Sequence, residues 1–277
     1  MGKTKNNHYL SQCISKNFIR NGSKTFWQYD CSKGDTIKPT NIVNLFSRRR
    51  IWGQEFENTI NKHMENHIAP ILKRLSECPV ERNRTLGPTG FVEPQFNGVH
   101  IDSKEDCVVL SKLILQFLLL QRSNEGQPNS EIEEKLTLFF SHDDNIMEMP
   151  LFLIEINPLI NAPPLILTDG MLFTFAAPTT KKNALGHISF AFPINPQRLL
   201  IWGIPNDIDF FAAKYANIHQ LNLCRIEQHN KRCKIASQDK KYLETLISTI
   251  PHFKSGEKSI RISADRIGFD ISENEIQ

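Results

Sequence analysis

The sequence lacks the short motifs that identify the common cofactor-binding and nucleophilic enzymes. It contains no glycine-rich phosphate-binding loop, no Gly-x-Ser-x-Gly nucleophile elbow and no Cys-x-x-Cys pair. Such motifs surround phosphates with backbone N–H groups, expose a reactive serine, or hold two thiols together. Their absence argues against a P-loop enzyme, an α/β-hydrolase and a thioredoxin-like enzyme. No cofactor is therefore predicted, although a divalent metal stays compatible with the sequence.

The cysteines show no spacing typical of a zinc site or a redox pair. The six are scattered along the chain, at Cys13, Cys31, Cys78, Cys107, Cys224 and Cys233. Metal-binding and redox cysteines usually lie within a few residues of one another. The spacing therefore predicts free thiols in a reducing compartment.

Long apolar runs and a strong net charge are also missing. The longest apolar block, residues 110–120, is interrupted by Ser111, Lys112 and Gln116, whereas a membrane-spanning helix needs roughly 20 apolar residues. The polar residues 1–6 do not resemble a signal peptide. A net charge of +3 does not by itself predict a nucleic-acid partner. By elimination, we predict a cytoplasmic protein with no membrane partner.

The composition and the hydrophobic pattern predict an α+β fold. Hydrophobic residues make up 40% and charged residues 23% of the 277 residues, as in ordinary globular proteins. The first half carries helical periodicity, whereas short apolar runs after Pro150 predict strands. We expect a helical first half packed on a mainly antiparallel β-sheet formed by the second half. The chain is predicted to form a single domain, 1–277, divided at most into a mainly helical part, 1–149, and a sheet-containing part, 150–277.

Individual elements follow from the spacing of apolar and turn-forming residues. A helix of about 25 residues is predicted from near Trp52, and a second helix over 106–122. Many prolines and glycines predict an irregular connection over 79–104. A long amphipathic helix is expected over 207–230. The predicted strands of the second half are 151–156, 165–168, 172–176, 187–192 and 199–202.

Several short segments together resemble a bacterial family, domain-of-unknown-function family four-two-three-eight. The opening His8-Tyr9-Leu10-Ser11-Gln12 is similar to the family's HYVPQFYLRNF-like start, although Ser11 replaces a proline. Residues 165–169 resemble its strand ending in Ser/Thr-Asp, and residues 190–196 its proline-containing segment. Trp52, Glu57 and Glu65 resemble an aromatic residue and two glutamates on one helix, and Asn222 resembles its closing asparagine. The resemblance implies a set of positions and no established activity.

Six residues at these positions are candidates for a catalytic site: His8, Gln12, Glu57, Glu65, Asp169 and Asn222. His8 has the chemistry of a general acid or base, and Gln12 that of an amide that orients a substrate. Asp169 follows an apolar strand, where carboxylates often serve catalysis, although Asp before Gly170 is equally typical of a turn. An asparagine such as Asn222 is more often a buried tether than a ligand.

The spacing of the two glutamates allows them to border the same pocket but not to bind the same ion. Glu57 and Glu65 are eight residues apart, which places them roughly 80° apart around a helix and about 12 Å apart along it. They cannot jointly hold one small ion, and glutamates on the polar face of a helix are usually only solvated.

A pair of histidines has the spacing of a helical metal site. His63 and His67 lie one helical turn apart, so both imidazoles project from one side. The glutamate of this segment, Glu65, does not directly follow the first histidine as it does in metalloproteases, and no third ligand is evident. Metal binding is therefore the less favoured interpretation.

A basic cluster indicates a possible substrate-binding site. Arg48, Arg49 and Arg50 precede Trp52, and arginines beside an aromatic ring can hold phosphates and stack a base. The preferred hypothesis is a hydrolase, such as a nuclease, that acts on nucleic acid or a nucleotide in bacterial conflict or phage defence. The alternative is a non-catalytic binding or regulatory module in which the same polar residues form a buried structural network.

Overall fold

The computed structural model describes residues 7–8, 12–20, 22–48, 58, 64–80, 85–87, 90–92, 96–124, 150–158, 161–175, 189–203, 205–215, 217–229, 233–250, 261–266 and 268–272. Within these ranges the strands form two larger antiparallel sheets and three two-stranded pairs. Strands and helices are numbered in chain order.

The largest sheet has five antiparallel strands. Their spatial order is β10 (Phe173–Phe175), β11 (Ser189–Asn195), β12 (Arg198–Trp202), β8 (Leu151–Ile156) and β7 (Phe96–His100). Leu200 on β12 lies opposite Leu153 on β8, and both side chains are buried. Side chains alternate between the two faces of a strand, and both faces of this sheet are covered. Four of the five predicted apolar runs of the second half correspond to β8, β10, β11 and β12 of this sheet.

The second sheet joins distant parts of the chain. Its order is β3 (Lys38–Asn41), β2 (Thr25–Asp30), β13 (Lys234–Ser237) and β9 (Leu167–Thr168). Ile235 on β13 lies opposite Tyr29 on one side and Thr168 on the other. Strand β13 thus connects a hairpin from the first half to a short strand from the second half.

Three further pairs contain two strands each: β1 (Asn7–His8) with β4 (Ser47–Arg48), β5 (Thr85–Gly87) with β6 (Gly90–Val92), and β14 (Arg261–Arg266) with β15 (Gly268–Ser272). Strands β5, β6 and β7 all fall within 79–104, so the prediction of an irregular connection there is wrong. Backbone pairing with a neighbouring strand outweighs the low strand propensity of Gly and Pro.

The helices are α1 (Gln12–Lys16), α2 (Ala69–Glu77), α3 (Lys104–Asn124), α4 (Pro205–Lys214), α5 (Ile218–Gln228) and α6 (Lys240–Thr249), and a π-helical turn, Met64–Ile68, precedes α2. The prediction of one helix over 207–230 is wrong, because α4 and α5 are separate. Asn217 begins α5, and its side chain accepts a hydrogen bond from the backbone N–H of Gln220 at 3.1 Å. The cap provides an acceptor for a backbone N–H group at the start of α5. In a continuous helix this group would instead bond to a carbonyl of the preceding turn.

The buried apolar residues form three clusters. One lies on one face of the five-stranded sheet and includes Leu153 and Trp202. Another lies on the opposite face and includes Ile154 together with Phe211. The third packs α5 and α6 against the four-stranded sheet, with Ile235 among its members. The two sheets therefore share the apolar core with the helices that cover them.

The α+β fold class is confirmed, and the sheets are antiparallel as predicted. Strands β2, β3 and β7 show that the first half also contributes to both sheets. Among the helices that the structure describes, none has the length and apolar character needed to cross a membrane.

Candidate functional site

Asn222 lies at the centre of a buried polar network. It sits on α5 and is completely buried. Its side-chain amide donates to the carbonyl of Pro164 at 2.9 Å and to the hydroxyl of Tyr242 at 2.8 Å, and its oxygen accepts from the backbone N–H of Ile166 at 3.3 Å. The amide therefore joins α5 to α6 and to the segment that leads into β9.

Arg225, one turn further along α5, continues the network. Its guanidinium donates to the carbonyl of Ile166 at 2.9 Å and to the hydroxyl of Thr168 at 3.4 Å. The side chain is almost fully buried. Burial lowers the pKa of Arg225 to about 10, which still leaves the group protonated at neutral pH. The guanidinium thus places a positive charge in the protein interior, where backbone and hydroxyl oxygens accept its hydrogen bonds.

Asp169 extends the pairing of β9 with β13. Its backbone N–H donates to the carbonyl of Lys234 at 3.0 Å, and its carboxylate accepts from the backbone N–H of Lys234 at 2.9 Å. Burial raises the pKa of Asp169 from 3.8 to about 7, against the lowering effect of the hydrogen bond from Lys234. Asp169 is therefore a carboxyl group that titrates near neutral pH.

His229 packs directly on Gly170, the residue after Asp169. A β-carbon built on Gly170 would lie 2.3 Å from Cε1 of His229, so only glycine leaves room for the ring. Burial lowers the pKa of His229 to about 4, against the raising effect of hydrogen bonds to the backbone of Gly170 and Leu172. The imidazole is therefore neutral at physiological pH.

The opposite shifts of Asp169 and His229 predict opposite effects of pH on stability. A carboxyl group with a raised pKa stabilises the fold below about pH 4, and this stabilisation is lost as the pH rises to about 7. A histidine with a lowered pKa stabilises the fold above about pH 6.5, and this stabilisation is lost as the pH falls to about 4. The two contributions oppose each other between pH 4 and 6.5.

We therefore expect the Asp169→Asn variant to gain stability relative to the wild type as the pH rises from 4 to 7, with a limiting slope of about 1.4 kcal/mol per pH unit. Denaturant unfolding of both proteins across this range measures the difference. The His229→Gln variant should show the opposite trend. Parallel pH profiles for all three proteins would contradict the proposed ionisation states.

The structure brings some of the candidate catalytic residues together. Asp169 and Asn222 border the same network through Thr168 and Arg225. The Asp169 carboxylate accepts a hydrogen bond from a backbone N–H group, and the Asn222 amide bonds to backbone groups and to Tyr242.

The remaining candidates lie elsewhere or outside the described residues. Pairing of β1 with β4 places His8 opposite Ser47, beside Arg48. Gln12 begins α1, and Glu65 and His67 lie in the π-helical turn. The other candidates fall outside the described residues: Arg49, Arg50, Trp52, Glu57 and His63. Among the residues that are described, no group of three or more His, Cys, Asp or Glu side chains could hold a metal ion.

A surface groove of about 400 Å³ lies beside the network. Its floor is apolar and includes Phe26 and Leu165, both buried. Its rim, the exposed part of the lining, carries Arg20 and Asp239 beside the partly exposed ring of Trp27. The groove forms where the segment before β2 and the start of β2, the end of β13 and the segment before β9 meet.

Gln238 shapes one wall of the groove. Its side-chain oxygen accepts a hydrogen bond from the backbone N–H of Arg20, and its amide donates to the carbonyls of Ser23 and Thr25. These contacts fix the segment that carries Arg20 against the end of β13.

The start of α6 forms the adjacent part of the rim. Asp239 caps this helix by accepting from the backbone N–H of Tyr242 at 2.9 Å. The ammonium group of Lys240 lies 5.0 Å from the centre of the Trp27 ring, a cation–π contact. The rim therefore combines an aromatic surface with basic groups.

Asn222 connects the network to the groove, because Pro164 both accepts its hydrogen bond and lines the groove. Sequence reasoning did not identify the groove residues Arg20, Trp27 and Gln238. Arg20 and Gln238 are 218 residues apart, and no local spacing signals their contact.

Comparisons of the chain with models of protein families, with curated proteins and with solved structures found no match. Membership of domain-of-unknown-function family four-two-three-eight therefore stays a prediction.

Proposed function

We propose that this protein is a non-catalytic binding module whose groove takes a small anionic ligand with a flat apolar part, the class to which nucleotides belong. The observation that carries the proposal is the groove itself, whose lining combines the exposed Arg20 with the partly exposed apolar surfaces of Trp27 and Pro164. Ligand sites typically combine an apolar surface with a few polar groups that fix the orientation of the ligand.

The size of the groove supports a small ligand. Its volume of about 400 Å³ falls in the range of roughly 300–1,000 Å³ that is usual for small-molecule sites. The partly exposed Trp27, Pro164 and Pro196 offer the apolar surface that a base or another flat ring would cover. A ligand of this size would contact both the segment before β2 and the end of β13.

The charges around the groove favour an anion. Arg20, Lys24, Lys240 and Lys241 are exposed at or beside the rim. Asp239 also lines the groove, and Lys240 pairs with Glu244 at 3.2 Å, so the four basic groups outnumber the two acidic ones. An arginine can bind a phosphate through two parallel hydrogen bonds, which lysine cannot do. Arg20 is therefore the residue expected to hold the anionic group.

The hydrogen bonds of the buried network favour binding over catalysis. Asn222 uses its amide to hold backbone groups and Tyr242. Asp169 holds the backbone of Lys234. Polar groups engaged in this way stabilise the fold, and their hydrogen bonds also hold neighbouring elements in place. Here the element held in place is the Pro164 wall of the groove.

Calorimetric titration with adenosine monophosphate, inorganic phosphate and a short single-stranded oligonucleotide tests the proposal. We expect saturable binding of at least one of these probes, and the Arg20→Gln variant should bind it roughly 10- to 100-fold more weakly, because a charged hydrogen bond contributes about 1.5–3 kcal/mol. The matched control is Lys33→Gln, which removes one exposed cation that pairs only weakly with Asp30, at 3.8 Å. Equal weakening by both variants would indicate nonspecific attraction and contradict the assignment.

A second variant tests the groove by filling it. Thr25 is exposed and lines the groove, so Thr25→Trp should block the ligand without disturbing the core. The Thr36→Trp variant, at an exposed position outside the groove, serves as the control. Undiminished binding by Thr25→Trp would place the ligand elsewhere.

A hydrolase acting on nucleic acid or a nucleotide is the second candidate, because Asp169 has a pKa of about 7. An acid or base that titrates near the working pH is the most effective proton donor or acceptor. The Asp169→Asn variant keeps the acceptor for the backbone of Lys234 and removes the titrating proton. If the protein hydrolyses a phosphodiester or nucleotide probe, this variant should lose about 100-fold or more of the rate. Unchanged hydrolysis would exclude Asp169 from the reaction.

A further inference from the structure

Two cysteines that are far apart in the sequence face each other across the second sheet. Lys234 on β13 lies opposite Asp30 on β2, and the next pair outward in this register is Cys233 and Cys31. The backbone N–H of Cys31 donates to the carbonyl of Cys233 at 3.0 Å. The two residues therefore continue the antiparallel ladder beyond the end of both strands.

Directly opposed residues in such a ladder have the separation that a disulfide requires. The α-carbons of a hydrogen-bonded pair are about 5.5 Å apart, within the range of about 4.4–6.8 Å found for disulfides. The side chains of opposed residues lie on the same face of a sheet. Here the side chain of Cys31 is near enough to affect the ionisation of Cys233, and both thiols are free.

The two thiols differ in their exposure. Cys233 is buried, whereas Cys31 is partly exposed. The neighbouring Cys31 side chain and burial raise the pKa of Cys233. Arg225 acts in the opposite direction by favouring the thiolate of Cys233. An oxidant from solution would therefore meet Cys31 first, with Cys233 behind it.

We propose that Cys31 and Cys233 form a reversible disulfide when the protein meets hydrogen peroxide. The sulfur of Cys31 attacks one peroxide oxygen, the O–O bond breaks, and Cys31 becomes a sulfenic acid while water leaves. The sulfur of Cys233 then attacks the sulfur of Cys31, the S–O bond breaks, and a second water leaves. Two thiols thus lose two electrons and two hydrogens, and one hydrogen peroxide is reduced to two waters.

The disulfide would clamp the two strands that form the groove. Further along the same ladder, Trp27 on β2 lies opposite Ser237 on β13, and both residues line the groove. A covalent bond at one end of the ladder restricts separation of the strands at the other end. Oxidation is therefore expected to stabilise the fold around the groove, whether or not the proposed ligand binds there.

Peptide mapping after mild hydrogen peroxide treatment of the folded chain tests this proposal. Alkylation of the remaining thiols and digestion without reductant should yield a linked peptide pair that contains Cys31 and Cys233. The melting temperature should rise by roughly 5–10 °C and return after treatment with dithiothreitol.

The Cys31→Ser variant should show neither the linked peptides nor the rise in melting temperature. The matched control is Cys78→Ser, which removes another partly exposed thiol and should retain both responses. If Cys31 is oxidised to the sulfinic acid, or links two copies of the chain, while Cys233 stays reduced, the proposal is wrong. The oxidation experiment is performed without any ligand, so its result does not depend on the proposed binding function.

Discussion

The Gly170→Ala variant should unfold at a much lower denaturant concentration than the wild type, with a loss of about 3 kcal/mol or more in the free energy of unfolding. The new methyl group would lie 2.3 Å from Cε1 and 2.4 Å from Nε2 of His229. No carbon tolerates such a distance, so the imidazole must move. The ring is largely enclosed, and its movement breaks the hydrogen bonds that it makes to the backbone of Gly170 and Leu172.

Gly98→Ala is the matched control for this prediction. A β-carbon on Gly98 meets nothing closer than 3.8 Å, so this variant should change the free energy of unfolding only slightly. A double variant, Gly170→Ala with His229→Ala, should be more stable than the sum of the two single effects by about 1–3 kcal/mol, because the clash is absent. Additive effects would show that the ring does not pack on Gly170.

The Asn222→Ala variant should lose about 3–5 kcal/mol in the free energy of unfolding. Removal of the amide leaves a buried backbone N–H at Ile166 and a carbonyl at Pro164 without their partner. It also leaves the hydroxyl of Tyr242, whose pKa burial raises to about 12, without the amide that donates to it. Chemical denaturation followed by circular dichroism measures the loss.

Two further variants separate the network from general effects of asparagine removal. Asn161→Ala changes an exposed asparagine in the segment before β9 and should alter stability by less than about 0.5 kcal/mol. Tyr242→Phe removes one partner of Asn222 and should cost about 1 kcal/mol. Should Asn222→Ala melt like Asn161→Ala, the amide would have no structural role.

The strands of the second half were predictable because their apolar runs are bounded by turn-forming residues. The β8 strand, Leu151–Ile156, has the predicted bounds, since its side chains are buried on both faces of the sheet. Helix α3 also extends over the predicted range. The local sequence is sufficient to predict such elements, because their burial requires an uninterrupted pattern of apolar residues.

Other elements needed information that the hydrophobic pattern does not contain. The apolar periodicity continues through the end of α4 and the start of α5, but α4 ends at Lys214 and α5 begins after the capping residue Asn217. The three strands within 79–104 form through pairing with neighbouring segments, such as β7 with β8. Long-range pairing of this kind overrides the local preference of Gly and Pro for loops.

The candidate site was predictable only in part. Asp169 and Asn222 were selected from their positions in the chain, and the structure joins them through Thr168 and Arg225. Their partners are backbone groups, which sequence spacing does not reveal. The groove and the opposed thiols depend on the register of β2 with β13, strands that are about 200 residues apart.

The most direct test of the account is an NMR titration of the isotope-labelled protein with adenosine monophosphate. Binding in the groove predicts saturable shifts at the indole N–H of Trp27 and the backbone N–H groups of Arg20 and Gln238, with little change at Thr168 and Asp169. Saturable shifts that centre on Asp169, with the groove unaffected, would contradict the binding-module account and favour a catalytic site at the end of β9.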